Sequence, residues 1–370
     1  MKHASKLMLL AGLTHLLSNA AMADDSTVTI YGRIHADIEN TLAGAAGAAS
    51  TISMNKVAND LSRIGFKGSE DLGNGVKAIW QIESGVAIND GSSGGSNMLA
   101  GRESFVGLSK SDLGTAKLGN FLLPYDDVHY IAGSMFQYEA GISNDAALWA
   151  NGGSLASGGF DARTGNSMSY QTPNYNGVSA RFQYSLTSGT GSSETTTNGA
   201  TVVSGNVIYD KGPWHVGYAI QQNRDMQVMS DNFYQTGLSN MLAAGYNFGD
   251  IYLAGLVEHD SLSNINQTGG DRSRNYAGAT ATYTTGANVF SVLYGQAASW
   301  KGSAGVADSG AKMFSLAYNR VLSKSTQVYV LYTTLRDQAN ATYVLGGNPS
   351  ATAAGAANQH SVAIGMWKNF

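Results

Sequence analysis

The sequence predicts an all-β protein, a transmembrane barrel of sixteen antiparallel strands, and three observations lead there. Apolar and polar residues alternate with a period of two along most of the chain. The connections between alternating segments are by turns very short and long. Charged residues make up only 13% of the chain, about half the ~25% of a soluble domain. Yet past the first two dozen residues no run of 18 apolar residues exists, and the mean hydropathy is slightly negative. In a barrel wall only every second side chain meets lipid, so such a chain never looks hydrophobic in bulk.

The first residues read as a secretory leader. Lys2 and Lys6 precede an apolar stretch, Leu7 to Leu13 with Leu16 and Leu17, and Ala21-Met22-Ala23 fits the small-x-small cleavage pattern. Interrupted by Thr14 and His15, the stretch is too weak to span a bilayer as a helix. The expected division is a leader over 1–23 and a barrel over 24–370. Cleavage leaves 347 residues and moves the formal charge from −4 to −6, because two lysines leave and no acid does.

Strands follow in order from the alternation. In the first, Val28, Ile30 and Ile34 share one face against Thr29, Arg33, His35 and Asp37. In the third, Val76, Ala78, Trp80 and Ile82 oppose Lys77, Gln81 and Glu83. The seventh sets Val178, Ala180, Phe182, Tyr184 and Leu186 against Ser179, Arg181, Gln183 and Ser185. Sixteen segments result: 27–39, 61–72, 75–85, 101–111, 114–121, 164–172, 177–187, 200–209, 213–223, 238–248, 250–259, 273–285, 287–297, 311–321, 325–335 and 359–370. Residues 222–240 alternate poorly, which blurs the boundaries there. Seven connections are tight, with turn residues such as Gly73-Asn74, Lys211-Gly212, Gly249 and Thr285-Gly286; eight are long and polar. Short turns at one end and long loops at the other suit an outer-membrane barrel. Such a sheet must close, because an unpaired backbone group in lipid costs several kcal/mol.

The stretch Ser62-Arg63-Ile64-Gly65-Phe66-Lys67-Gly68-Ser69-Glu70-Asp71-Leu72-Gly73-Asn74-Gly75-Val76-Lys77-Ala78 closely resembles a signature of Gram-negative general porins. Four further segments resemble the betaproteobacterial branch: Val28 to Arg33, Arg102 to Leu108, Asn166 to Tyr170 with Pro173 and Gly177, and Gly365 to Phe370. The resemblance implies a homotrimer whose third loop, within 122–163, folds into the lumen and narrows it. It further implies wall arginines facing loop carboxylates. By motif the wall positions correspond to Arg63, Arg102 and Arg163, with Lys67 and Arg33 nearby. The loop acids available are Asp126, Asp127, Glu139 and Asp145, of which Glu139 and Asp145 are favoured. Asn120 stands where the family often has arginine, which removes one expected pore charge.

The implied function is a passive, water-filled diffusion channel for ions and small hydrophilic solutes, with a sugar- or anion-selective porin as the alternative. Expected partners are outer-membrane lipid and lipopolysaccharide, further copies of the chain, and the solutes themselves. A mildly acidic chain without basic runs gives no footprint for nucleic acid. Cys is absent, so disulfides and thiolate metal sites are excluded. No cofactor or metal is expected. Gly91-Ser92-Ser93-Gly94-Gly95 fits a nucleophile-elbow pattern but sits in a Gly/Ser loop with no helix following, so no enzyme is expected. Trp214, Tyr184, Tyr318, Tyr332 and Phe370 suit the aromatic girdles at headgroup level.

Overall fold

The structure, a computed structural model, describes residues 27–45, 52–90, 99–132, 141–149, 159–160, 162–187, 200–229, 233–265, 270–345 and 357–370. The expected leader and the Gly91–Gly95 pattern lie outside the described residues. One antiparallel sheet contains seventeen segments. They begin with β1 (Thr27–Ala45), β2 (Ile52–Asn59), β3 (Arg63–Asp71), β4 (Val76–Gly85), β5 (Ser104–Lys110) and β6 (Gly114–Leu122). Next come β7 (Arg163–Gln171), β8 (Val178–Thr187), β9 (Ala200–Lys211), β10 (Trp214–Met229), β11 (Phe233–Phe248) and β12 (Ile251–Ile265). The last are β13 (Gly270–Thr285), β14 (Asn288–Ala297), β15 (Ala311–Ser323), β16 (Thr326–Asp337) and β17 (Ala357–Asn369).

Segments β2 and β3 are halves of one strand, since both pair with β1 and the register steps by one residue between them. The count of strands is therefore sixteen. At the step Leu61 adopts a φ of 58°, the left-handed region that a bulky side chain rarely occupies. The Ser62 hydroxyl holds the bulge together: it accepts the His35 N–H at 2.9 Å and donates to the His35 carbonyl at 3.0 Å. Sequence patterning starts this strand at residue 61, whereas it begins at Ile52. The exposed face of β2 carries Ser53 and Asn55 before Val57, so it shows no apolar stripe to read. The described parts of the poorly alternating stretch likewise prove to be strand, in β10 and β11, with a register shift between Arg224 and Val228.

Each strand pairs with its neighbours in sequence, and β1 closes the ring on β17 from Arg33↔Asn369 to Ala45↔Ala357. The seam ends in a reciprocal pair, Gly32 N–H to Phe370 O at 2.9 Å and Phe370 N–H to Gly32 O at 3.1 Å. A Cβ on Gly32 would lie 2.4 Å from the Phe370 ring, so the last aromatic seats against bare backbone. At the short-turn end Gly212, Gly249 and Gly286 all have φ near +60°, the conformation two-residue hairpins demand.

Side chains sort by parity. Ile30, Ile34, Ile38, Val257, Leu316 and Ile364 are exposed to the outside, while Arg33, His35, Asp37, Glu258 and Asp260 point in. Outside, rings gather near the short turns: Trp214 lies 4.6 Å from Tyr246, Tyr246 4.3 Å from Phe248, and Phe290 5.1 Å from Tyr318. Such rings suit the headgroup level. The inside is not hollow throughout. Val128, Ile131, Leu148, Trp149 and Phe160 of the third loop pack on Ala219, Met241, Ala243 and Leu256 of the wall. Small wall residues leave room for a loop to lie flat against one side.

Placing Val257→Arg on the lipid face mid-strand should destabilise the barrel by roughly 2–4 kcal/mol, read as a lower urea midpoint in vesicle refolding. The adjacent inward position, Leu256→Ser, should destabilise through lost packing against the third loop rather than through contact with lipid.

Candidate functional site

The third loop begins with helix α1 (Pro124–Ala132). Proline opens it and Asp126 and Asp127 occupy the first turn, the residue types that satisfy a helix start and its dipole. Those signals were present in a stretch that patterning left without secondary structure. Tyr125 anchors the start: its N–H reaches Ser204 Oγ at 3.1 Å and its hydroxyl donates to Glu258 Oε1 at 2.6 Å. At the other end Tyr252 donates to the Ile131 carbonyl and Thr280 to that of Ala132, both at 2.6 Å, meeting orphan carbonyls of the last turn. Gly217 lets the helix approach the wall, for a Cβ there would sit 2.7 Å from Ile131 Cδ1.

Farther along the chain the loop is fixed on the other side of the lumen. The turn Gly141–Ser143 docks on the opposite wall, where Gly141 N–H bonds Asp60 Oδ1 at 3.0 Å and Ile142 packs among Tyr329, Leu331, Ala363 and Trp367. Asp37, Glu39 and Asp60 bring carboxylate oxygens within 4.8 Å of one another, close enough to share a cation. Protein donors already occupy much of that group: Tyr329 on Asp37 at 2.9 Å, Lys56 on Glu39 at 3.1 Å, and Gly141 on Asp60.

Helix α2 (Ala146–Trp149) brings the loop back. Asp145 accepts hydrogen bonds from His129 Nε2 at 2.8 Å and from the Tyr276 hydroxyl at 2.6 Å. Arg274 caps the Trp149 carbonyl at 2.9 Å while its Nε holds Asp260 at 3.1 Å. Burial alone would raise Asp145, but His129 and the Tyr276 hydroxyl outweigh it and hold the carboxyl below the usual range.

What the loop leaves open is the lumen along β1 and β3 to β8, and this side is basic. Arg33 and Arg63 are direct cross-strand partners. Arg63 is coupled electrostatically to Arg33, Arg102 and Arg163, and Tyr130 of α1 faces the same group. Arg102 Nε meets Glu83 Oε1 at 2.5 Å, and Tyr31 donates to the other Glu83 oxygen at 2.9 Å. Arg163 lies 3.8 Å from Glu103, and Arg181 3.0 Å from Asp127. Asn206 also binds Asp127 at 2.8 Å. Three cations rest over aromatic faces: Arg33 over Trp367 at 4.6 Å, Lys67 over Tyr31 at 5.0 Å and Lys117 over Phe105 at 4.4 Å.

The structure thus brings Arg33, Arg63, Lys67, Arg102, Arg163 and Asp127 to one side of the lumen. Asp126 and Asp145, expected at the constriction, do not line the open lumen. Both are buried, and Asp145 spends its oxygens anchoring the loop, so neither borders open water. Glu139 lies outside the described residues. Glu103 and Lys117 were missed as candidates. Strand parity alone would have turned Lys117 inward, opposite the lipid-facing Leu118.

A closed antiparallel barrel with an apolar exterior and a charged, loop-narrowed lumen defines a transmembrane channel protein. Residues 8–340 match the Gram-negative porin family, and the chain belongs to it: it is an outer-membrane porin, a channel for small solutes and not an enzyme. Among its relatives is the major outer membrane protein P.IB of Neisseria meningitidis serogroup B. That protein is 31% identical over 76% of this chain and 78% of its own. Outer membrane porin protein 32 of Delftia acidovorans is 31% identical over 70% of each chain. A solved anion-selective porin from Comamonas acidovorans superposes with a TM-score of 0.73 at 26% identity, over 94% of this chain and all of its own. OmpT of Vibrio cholerae, solved in a trimer form, shares the fold with a TM-score of 0.65 at 15% identity.

Asp145→Asn should weaken the loop anchor by roughly 1–3 kcal/mol and raise open-channel current noise without unfolding the barrel. Because the folded Asp145 carboxyl titrates below its ordinary value, its anchoring is fully present above pH ~4 and is lost as pH falls through that lowered value. The difference in noise between wild type and Asp145→Asn should therefore persist from pH 7 to about 4 and shrink only below.

Proposed function

We propose that this porin favours anions, and that Arg33, Arg63, Lys67, Arg102, Arg163 and Asp127, with Glu139 from the loop, form its constriction. The observation that carries the reading is charge balance. Arg33, Arg63, Lys67, Arg102, Lys117, Arg163 and Arg181 face this part of the lumen, against Glu83, Glu103 and Asp127 among the described residues, Asp37, Glu39 and Asp60 being buried where the loop docks. Counting Glu139 as a fourth acid still leaves an excess of three positive charges. Cationic rings raise the local concentration of anions in a narrow pore, and confinement between low-dielectric walls strengthens the bias. Asp126 and Asp145, buried in the loop anchor, contribute little to the field in the water. A structural relative at 26% identity is itself an anion-selective porin, which supports the same reading.

The trimer is the second part of the proposal. From β7 to β16 the outer wall carries Tyr170, Phe182, Tyr209, Trp214, Tyr218, Phe248, Tyr283, Phe290, Tyr318 and Tyr332. Across β1 to β6 and β17 the exposed face is mostly Val, Ile, Leu and Met, with Phe66 and the terminal Phe370. Rings mark contact with lipid headgroups, so the aliphatic sector is the side covered by neighbouring copies. Ultracentrifugation in mild detergent should give three chains per particle, and Ile64→Asp should release folded monomers.

Under a KCl gradient across a planar bilayer, the reversal potential should carry the sign of chloride preference. Arg63→Glu combined with Arg102→Glu should lower the anion-to-cation permeability ratio several-fold. A wild-type channel that prefers potassium would overturn the reading.

A further inference from the structure

On the outer side of β12 to β16 a shallow groove of about 500 Å³ runs up from the short-turn end. Its lower edge is one cross-strand row in direct register, Ile251–Tyr283–Phe290–Tyr318–Val330. The next row, Ala281–Val292–Leu316–Tyr332, is lower in profile because Ala281 and Val292 stand where the first row has rings. The difference in side-chain height makes the groove, and its lining is almost wholly apolar.

The groove has a charged foot. Two residues beyond Tyr318, toward the short turn, Arg320 is exposed on the same outer face. Its Nη1 donates to Asn288 Oδ1 at 2.9 Å, and the Tyr318 hydroxyl donates to the same oxygen at 2.9 Å. One amide carbonyl thus ties the guanidinium to the ring at the groove's edge. Lys324 occupies the following turn, and Lys368, exposed on β17, reaches Ser325 Oγ at 2.7 Å. No Asp or Glu occurs between Ala311 and Arg336.

An outward arginine is costly at mid-bilayer and tolerated only near a rim, so its place beside an apolar groove calls for a partner. The combination suits an amphiphile with an acyl chain and an anionic head. Short turns mark the periplasmic end of such barrels, so the lipid must come from the periplasmic leaflet, which points to a phospholipid rather than lipopolysaccharide. We propose that this groove binds one anionic phospholipid per chain, an acyl chain lying between the two rows and the phosphate on Arg320, with Lys324 and Lys368 adding to the local field. Basic side chains at the membrane surface attract anionic lipid in this way. The site is remote from the pore and independent of ion preference.

Native mass spectrometry of the intact protein, released from detergent with added phosphatidylglycerol or phosphatidylcholine of matched chains, tests this. One phosphatidylglycerol per chain should be retained, about five-fold over phosphatidylcholine, the discrimination expected of one interfacial arginine. Arg320→Gln should abolish that preference, Arg320→Lys should keep most of it, and Ala281→Phe, which fills the groove, should lower retention of both lipids. Heat-modifiable migration and unchanged conductance establish that each variant is folded; should Ala281→Phe fail to fold, the two Arg320 variants decide. Equal retention of the two lipids by the wild type, unaltered retention by Arg320→Gln, or displacement by lipid A would each overturn the proposal.

Discussion

Every backbone donor and acceptor that meets lipid must find a partner within the chain, and the rest of this structure follows from how that requirement is met. The sheet has to close, and the seam between β1 and β17 carries the last ladder, from Arg33↔Asn369 to Ala45↔Ala357. The reciprocal bonds of Gly32 and Phe370 finish it at the short-turn end. Where the ladder is interrupted, at Asp60–Ser62, a side chain takes over: the Ser62 hydroxyl bonds both backbone groups of His35. The interruption is also used. It frees Asp60 to accept the Gly141 N–H, so the point at which the wall yields is the point at which the loop docks.

Closure creates a second problem, an interior too wide to be filled by wall side chains, and the third loop solves half of it. Against β9 to β13 the wall offers Gly217, Ala219, Ala243 and Thr280, which are small enough for α1 to lie close. The loop carries its own polar atoms into that contact. They are matched by Ser204, Glu258, Tyr252, Thr280, Tyr276 and Arg274 from three different strands. Buried polar groups cost most when left unpaired, so these bonds specify one resting place for the loop. The other half of the interior stays wet, and its position follows from where the small residues lie.

Strand number, closure and parity were legible in the sequence because lipid on one side and water on the other impose period-two alternation, as at Val178 to Leu186. Legibility fails where that contrast fails. The face of β2 with Ser53 and Asn55, and the upper parts of β10 and β11, carry no apolar stripe, so pattern alone cannot see them. The arginines of the wall were readable through the family motif: Arg63 and Arg163 open β3 and β7, whereas Arg102 stands just before β5, where strand parity says nothing. The loop acids were not, since a loop has no parity: Asp126, Asp127 and Asp145 look equivalent as sequence. Only packing separates Asp127, bonded to Arg181 and Asn206 beside the open lumen, from Asp145, clamped between His129 and Tyr276.

That separation governs the field in the pore. A carboxylate that anchors a loop is surrounded by donors, as Asp145 is by His129 and the Tyr276 hydroxyl, or paired with a cation, as Asp260 is with Arg274. Each acid recruited to hold the loop is thus withdrawn from the balance across the water. Three of the wall cations are not withdrawn in the same way, because Lys67, Lys117 and Arg33 rest on the faces of Tyr31, Phe105 and Trp367, contacts that orient a cation without cancelling its charge. A chain with a net acidic sequence can therefore present a basic channel. Overall charge is a poor guide to a pore whose acids are partly consumed as structural fastenings.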